Sequence, residues 1–97
     1  MKILALEREL PESSTNKLTD RLLEEEARRV WQLHQSGEIR ELYFRADRHE
    51  AVLILECGTI EDAKSVLSTL PLVREELIAF DVMPLAAYSG FERLFKK

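Results

Sequence analysis

Residues 38–57 read EIRELYFRADRHEAVLILEC and contain two β-like runs, 38–46 and 51–57, joined by a short polar connection. The length and polarity of that connection predict a hairpin in which the two runs pair as antiparallel strands. The second run begins Ala-Val-Leu-Ile-Leu and is apolar at each of these positions. A strand that is apolar on both sides needs cover on both faces of its sheet, and this requirement constrains the rest of the fold.

A helix is predicted on each side of this hairpin. Over residues 16–36 apolar side chains recur at steps of three and four, and Gly37 supplies the left-handed residue that commonly ends a helix. Over residues 59–70, Thr59 is suited to cap a second helix and Pro71 is suited to stop it. The apolar stripe of the first helix, which is predicted to pack into the core, comprises Leu18, Leu22, Leu23, Ala27, Val30, Trp31 and His34.

Two further strands, 2–8 and 77–85, and an aromatic tail, 86–97, complete the single domain that 97 residues allow. The order strand, helix, strand, strand, helix, strand predicts an α+β fold of the ferredoxin-like βαββαβ type. In this fold a four-stranded antiparallel sheet carries two helices on one face. The other face is therefore predicted to pack against the sheet of a second copy in a symmetric dimer. A monomer whose tail folds back over the open face is the alternative.

Alternation of side chains along the run 38–46 predicts which residues meet the helices. A charge beneath the helices should be paired or should lie at the edge of the sheet. For Arg40, pairing with a Glu of the first helix is the structural interpretation, and anion binding between helices and sheet is the functional one. The set predicted for the open face comprises Ile39, Glu41, Tyr43 and Arg45, and the set predicted beneath the helices comprises Arg40, Leu42, Phe44 and Ala46.

The composition excludes several classes of function. A hydrophobic content of 45% and a charged content of 33% are typical of a globular protein, and a net charge of −4 argues against a broad nucleic-acid surface. Cys57 is the only cysteine, which suits a reducing compartment, and no apolar run approaches membrane-spanning length. We therefore expect a cytoplasmic protein. Two histidines at unrelated positions and only three glycines predict neither a metal site nor a bound cofactor.

Three sequence blocks resemble a known family. They are Leu33-His-Gln-Ser-Gly37, Ser68-Thr-Leu-Pro-Leu72 and Phe80-Asp-Val-Met-Pro-Leu85, and their spacing matches as well. On these blocks the chain from Trp31 onward resembles the muconolactone delta-isomerase-like group of the dimeric α+β-barrel superfamily. The resemblance implies a dimeric α+β barrel that pairs through its sheet. Members of this superfamily carry several chemistries, so the resemblance implies the fold more narrowly than the reaction.

The resemblance also implies one candidate catalytic residue. In the isomerases, proton movement beside a lactone carbonyl is attributed to a Glu and a Lys of the first helix. Aligned on the Ser36-Gly37 block, the Glu falls on Glu26 and the Lys falls on Ala27. The carboxylate of the family pattern is therefore present in this chain. The cation, which would stabilise a developing enolate, is absent from its aligned position. From the residues alone, Glu26 is either a partly buried general base or a solvated member of the run Glu24–Glu26.

Three further side chains are candidate site residues. Tyr43 could donate a hydrogen bond in catalysis, and Arg45 on the same strand face could hold a carboxylate ligand. The alternative for both is a dimer interface, where Tyr and Arg are enriched. His34, at the end of the first helix, could bind a ligand or shuttle protons, and a packed histidine interacting with the helix dipole is the alternative.

Two classes of function remain open at this point. The first is an isomerase-like enzyme that transfers a proton, without a cofactor, on a small acidic or lactone-type metabolite. It predicts that Glu26 and Arg40 face a common cavity. The second is a non-catalytic ligand-binding or assembly module that keeps only the scaffold.

Overall fold

The computed structural model describes residues 1–11 and 18–96, so the first two residues of the predicted 16–36 helix lie outside the described residues. Four strands form one antiparallel sheet in the order β2-β3-β1-β4. This sheet, with its helices, confirms the predicted α+β fold. The elements are β1 (Lys2–Glu9), α1 (Asp20–Gln35), β2 (Ile39–Phe44), β3 (Ala51–Glu56), α2 (Ile60–Ser68), the single turn α3 (Pro71–Arg74), β4 (Ile78–Pro84) and the single turn α4 (Glu92–Phe95).

The ends of the helices follow from their capping residues. Thr19 Oγ1 accepts a hydrogen bond from Leu22 N at 3.1 Å, which begins α1, and Thr59 Oγ1 accepts one from Asp62 N at 3.0 Å, which begins α2. Gly37 follows α1 with φ of +86°. Its N–H donates to His34 O, and the next N–H donates to Leu33 O. These two bonds form a Schellman motif, which uses the last free carbonyls of the helix.

The core fills one end of the layer between helices and sheet. It is built around Ile3 of β1 and Leu55 of β3, which pair with each other and are both fully buried. The other end of the layer, where β1 ends and β3 begins, holds large apolar side chains that remain exposed: Leu42 at 41% and Phe44 at 61%. The buried apolar residues are Ile3, Ala5, Leu33, Ile39, Leu53, Leu55, Ala63, Leu67, Leu70 and Leu77.

A β-bulge in β2 corrects the predicted faces of that strand. Ile39 pairs with Leu55 and Glu41 pairs with Ile54, so one extra residue, Arg40, stands between two successive pairs. Ile39 is therefore fully buried with the helices, whereas the alternation predicted it on the open face. The prediction that Arg40 lies beneath the helices is also wrong, because Arg40 is the unpaired residue of the bulge in an edge strand and its Nε donates to Gly37 O. Beyond the bulge, Leu42 and Phe44 lie on the helix side, as predicted, opposite Leu53 and Ala51.

The face of the sheet that α1 and α2 leave uncovered is largely apolar. Leu4 and Leu6 of β1 lie next to Ile54 and Val52 of β3, with Met83 of β4 beside Leu4. All five side chains are only half-buried. The sheet therefore presents an apolar centre opposite its helices, flanked by the ion pair of Arg8 with Asp81 and by Glu41.

The Schellman motifs that follow α1 and α3 predict opposite responses to substitution. Glu76 follows α3 with φ of +60°, and its motif is completed by Leu77 N donating to Leu72 O. Gly37→Ala places a Cβ in the left-handed region and should lower the free energy of unfolding by about 1–2 kcal/mol, whereas Glu76→Gly relieves that cost and should leave stability unchanged or raise it by up to about 1 kcal/mol. Urea unfolding measures both. Gly58→Ala is the control, because Gly58 lacks a positive φ; an equal loss in Gly58→Ala would contradict the role given to the left-handed backbone.

Candidate active site

Large apolar side chains of α1 and β2 remain exposed beside the unfilled end of the layer, and the surface that they form is called the groove below. On α1, Leu23 stands three and seven residues before Glu26 and Val30, so it belongs to the stripe that faces the sheet. Trp31 lies on the side of α1 that faces β2, because His34, one turn on, contacts Ile39 O. The residues that define the groove are Leu23 (46% exposed), Trp31 (62%), Leu42 (41%) and Phe44 (61%). Trp31 is thus exposed at the mouth of this groove. Its spacing predicted a position in the core, and that prediction is wrong.

Glu26 is the titratable side chain that α1 turns toward this end of the layer. Its Oε1 accepts a hydrogen bond from Leu72 N at 2.9 Å, and the carboxyl is partly buried. Leu70, which caps α3, makes no side-chain hydrogen bond to that turn, so Glu26 supplies the missing cap from another helix. Burial raises the pKa of Glu26 above its ordinary value. The Leu72 N–H lowers this pKa, the charge of Glu7 raises it again, and the charge of Arg74 lowers it.

Glu7 is a site residue that the sequence interpretation missed. It follows Ile3 and Ala5 on alternate positions of β1, so it points to the helix side of the sheet. Its Oε1 accepts a hydrogen bond from Ala51 N at 3.0 Å, and its side chain is half-buried. The sequence does contain a sign of it: alternation along β1 predicts an apolar residue at the next inward position after Ile3 and Ala5, and that position holds a charged one.

Glu7 and Glu26 place two carboxylates at the same end of the layer. Each holds one backbone N–H with one oxygen, and among the described residues neither makes a further hydrogen bond. The charge of Glu7 acts with burial to raise the pKa of Glu26, so the neutral form of Glu26 is favoured more than in an exposed Glu.

The structure does not bring Arg40 to Glu26. Arg40 Nε donates to Gly37 O at 2.6 Å, at the filled end of the layer, whereas Glu26 contacts Leu72 at the unfilled end. His34 is also at the filled end, where its Nδ1 lies 3.0 Å from Ile39 O. This contact fixes the imidazole to the first residue of β2. The common cavity predicted for Glu26 and Arg40 is therefore absent from the described part of the chain.

Tyr43 and Arg45 lie apart from Glu26 as well. Tyr43 is on the uncovered face of the sheet, where its hydroxyl donates to Glu41 Oε1 at 2.9 Å. This hydrogen bond raises the pKa of Tyr43 above its ordinary value. Arg45 lies in the hairpin between β2 and β3 and forms a two-pronged ion pair with Asp47, at 2.9 and 2.6 Å. The guanidinium lowers the pKa of Asp47. The guanidinium of Arg45 is therefore already paired with a carboxylate of its own hairpin.

The family model for muconolactone delta-isomerase matches residues 3–90, which include Glu7, Glu26 and all the residues of the groove. The chain belongs to this family. No curated protein matches the sequence. Among residues 1–11 and 18–96, no group of three or more His, Cys, Asp and Glu side chains is placed to hold a metal ion, and no helix is long and apolar enough to cross a bilayer.

Two solved structures share the fold. A muconolactone isomerase crystal structure superposes with a TM-score of 0.72 at 16% identity, covering 93% of this chain and 93% of that chain. The 5-chloro-2-hydroxyhydroquinone dehydrochlorinase of Burkholderia phenoliruptrix AC1100, in complex with 2,5-dihydroxybenzoquinone, superposes with a TM-score of 0.62 at 15% identity, covering 93% and 98%. At identities of 16% and 15%, the likeness shows a shared fold and nothing more.

The raised pKa of Glu26 predicts a specific dependence of stability on pH. Between the ordinary Glu pKa and the raised one, the folded chain binds more protons at Glu26 than the unfolded chain does, so this residue lowers stability as pH rises through that interval. Glu26→Gln removes the titration and keeps an oxygen for Leu72 N. The free energy of unfolding of this variant, minus that of the wild type, should therefore increase with pH across the interval and be constant above it.

Urea unfolding at a series of pH values measures this difference. Glu24→Gln is the matched control, because Glu24 is an exposed neighbour in an ion pair with Arg28. It should show no such rise. Curves for wild type and Glu26→Gln that stay parallel from acid to neutral pH would contradict the assignment.

Proposed function

We propose that this protein is an isomerase-like enzyme that moves a proton, without a cofactor, on a small acidic or lactone-type metabolite bound in the groove. The observation that carries the proposal is the placement of Glu26. It is a carboxylate of raised pKa at the open, apolar end of the layer between helices and sheet. Membership of the muconolactone delta-isomerase family supports the reaction type.

In this proposal Glu26 is the general base. Its Oε1 is held by Leu72 N, which leaves Oε2 to accept a proton from a carbon beside a carbonyl group and to return it elsewhere on the same ligand. A base with a pKa nearer to neutrality is better matched to that task than an exposed Glu. The charge of the second carboxylate, Glu7, contributes to the raised pKa of Glu26.

Arg74 is the cation whose charge acts on this carboxylate, and it lowers the pKa of Glu26. The first-helix Lys implied by the family is replaced by Ala27. We propose that Arg74, whose guanidinium contacts only the adjacent Glu75 at 3.3 Å among the described residues, holds the carboxylate or enolate of the ligand in its place. Arg45, His34 and Tyr43 remain predictions as site residues, with contacts that are local in each case.

The proposal includes a homodimer that packs through the uncovered face of the sheet, in a cytoplasmic setting. Leu4, Leu6, Val52, Ile54 and Met83 supply an apolar surface that has no cover from the described part of the same chain. Packing two such sheets face to face buries these side chains at the spacing of a β-sandwich. Tyr43, 58% exposed at the edge of this surface, would lie at the rim of the interface.

The alternative is a non-catalytic ligand-binding or assembly module. One observation favours it: Glu26 caps α3 through Leu72 N, so a structural reason for a carboxylate at this position exists without catalysis. The two functions differ in their response to ligands and in the effect of Glu26→Gln.

A thermal-shift screen with small carboxylates and lactones, including muconolactone, tests the enzyme. A ligand that binds the folded protein raises the melting temperature by mass action, and we expect a lactone or dicarboxylate to do so. Turnover of that ligand should fall by about 10²–10⁴-fold in Glu26→Gln, because a general base is lost, and should be unchanged in Glu24→Gln. Binding without turnover in the wild type would establish the non-catalytic module instead.

Light scattering on the purified protein tests the dimer. The wild type should have twice the 11.3 kDa chain mass, or a multiple of it. Ile54→Lys places a charge in the middle of the apolar face and should shift the population to monomer, whereas Gln35→Lys, at the exposed end of α1, should not. A wild-type monomer at micromolar concentration would refute the interface.

A further inference from the structure

The two carboxylates at the unfilled end of the layer are both held there by the backbone. Glu7 Oε1 accepts a hydrogen bond from Ala51 N at 3.0 Å, and Glu26 Oε1 accepts one from Leu72 N at 2.9 Å. Both side chains are half-buried, and the charge of Glu7 acts on Glu26. Because these bonds fix the position of each carboxylate, a ligand that binds beside Glu26 meets the negative charge of Glu7 as well.

One cation acts on this end of the layer, and it already has a partner. In the described part of the chain, the positive charge that acts on Glu26 is that of Arg74, whose Nε lies 3.3 Å from Glu75 Oε2. Arg29, one turn after Glu26 on α1, donates to Thr69 Oγ1 at 2.9 Å. Two carboxylates therefore share one guanidinium with a third carboxylate, so negative charge is in excess.

The arginines of the hairpin between β2 and β3 do not change this balance. Arg45 donates to both oxygens of Asp47, at 2.9 and 2.6 Å, and lies 3.5 Å from Glu50 Oε1. Arg48 Nε lies 3.8 Å from the same oxygen. Two guanidinium groups are thus matched by two carboxylates within the hairpin, which leaves little positive charge to attract an anion.

The groove beside the carboxylates presents apolar and ring surfaces. The ring of His49 stacks on that of Phe44, with centroids 4.1 Å apart and 24° between the planes. The stack adds to the exposed surfaces of Leu23, Trp31 and Leu42. Such a surface favours the flat, unsaturated and apolar part of a small molecule over a solvated charged group.

The proposed proton transfer also favours a ligand without a charge. The C–H bond beside the carbonyl breaks as an O–H bond forms at Glu26 Oε2, and the electron pair moves to the carbonyl oxygen to give an enolate. The proton then returns to another carbon of the same conjugated system, and Glu26 is ionised again. With an uncharged ligand, the negative charge only moves from Glu26 to the enolate, where Arg74 can stabilise it. A free carboxylate on the ligand would add a further negative charge and favour the protonated form of Glu26, which cannot act as the base.

We infer that the groove takes an uncharged carbonyl compound of the lactone type, without a free carboxylate, and that Glu7 is the residue that discriminates against anionic ligands. This inference rests on the proposed enzyme and narrows its ligand from acidic or lactone-type to uncharged. Arg74 then serves the enolate that forms during the reaction. Glu7 determines specificity through its charge and forms no bond to the ligand.

A matched pair of ligands tests the inference: muconolactone, which carries an ionised carboxylate at neutral pH, and its uncharged methyl ester. Isothermal titration calorimetry on the full chain at low ionic strength gives the two dissociation constants. We expect the ester to bind about 10-fold more tightly, because it avoids the repulsion by fixed carboxylates. Added salt should reduce this ratio, since it screens the repulsion. Equal affinities, or tighter binding of muconolactone, would overturn the inference.

Glu7→Gln tests the role of this residue, because glutamine keeps an oxygen for Ala51 N and removes the charge. Muconolactone should bind more tightly to this variant, the ester should bind as it does to the wild type, and the ratio should approach one. The matched control is Glu24→Gln, which removes the same charge from an exposed residue paired with Arg28 and should keep the wild-type ratio. A wild-type ratio in Glu7→Gln, or an equal change in the control, would contradict discrimination by Glu7.

Turnover separates this inference from the proposed function. Isomerisation of the ester in preference to muconolactone, lost in Glu26→Gln, would support both. Isomerisation of muconolactone in preference to its ester would contradict the uncharged ligand and leave the enzyme standing. If no lactone or carboxylate of the screen binds, the enzyme and the inference fail together.

Discussion

The central strands β1 and β3 carry apolar side chains on both faces of the sheet, and α1 and α2 cover only one of these faces. On the covered side Ile3 and Leu55 are fully buried, whereas on the other side Leu4 and Ile54 keep part of their surface in solvent. Full burial of one such side chain stabilises a protein by about 1.5–3 kcal/mol. The uncovered face is therefore where cover by a second protein would stabilise the sheet most.

The same layer of helices and sheet is filled at one end and open at the other, and polar side chains explain the difference. Glu26 and Glu7 occupy positions whose spacing belongs to the core, and each reaches a backbone N–H, of Leu72 and Ala51 respectively. A buried carboxylate cannot be packed around as an apolar side chain can, because it must keep hydrogen-bond partners. Local departures from the apolar pattern of this kind are expected at functional sites.

The order of elements, the hairpin and the uncovered face were predictable because each depends on periodicity, which is a property of the sequence alone. The face of the sheet on which Ile39 lies was not predictable. The bulge at Arg40 adds one residue to β2, so the residue before the bulge lies on the face opposite to the one that simple alternation predicts. The spacing of Trp31 predicts a core position, but helical periodicity shows which way a side chain points and not how deeply it is buried. In the described part of the chain, Trp31 is 62% exposed. Glu7 was detectable as a charge at an inward position of β1.

The bond from Leu72 N to Glu26 makes the structural and the catalytic interpretations of this residue compatible. Burial alone would raise the pKa of a carboxyl and also let it rotate away from a ligand. The N–H fixes the orientation of one oxygen and partly offsets the effect of burial on the pKa, while the charge of Glu7 acts against that offset. The capping bond thereby holds a base of raised pKa in one position, with its second oxygen directed away from the bond. In the proposed enzyme, the residue that caps α3 would in this way also be placed to accept a proton.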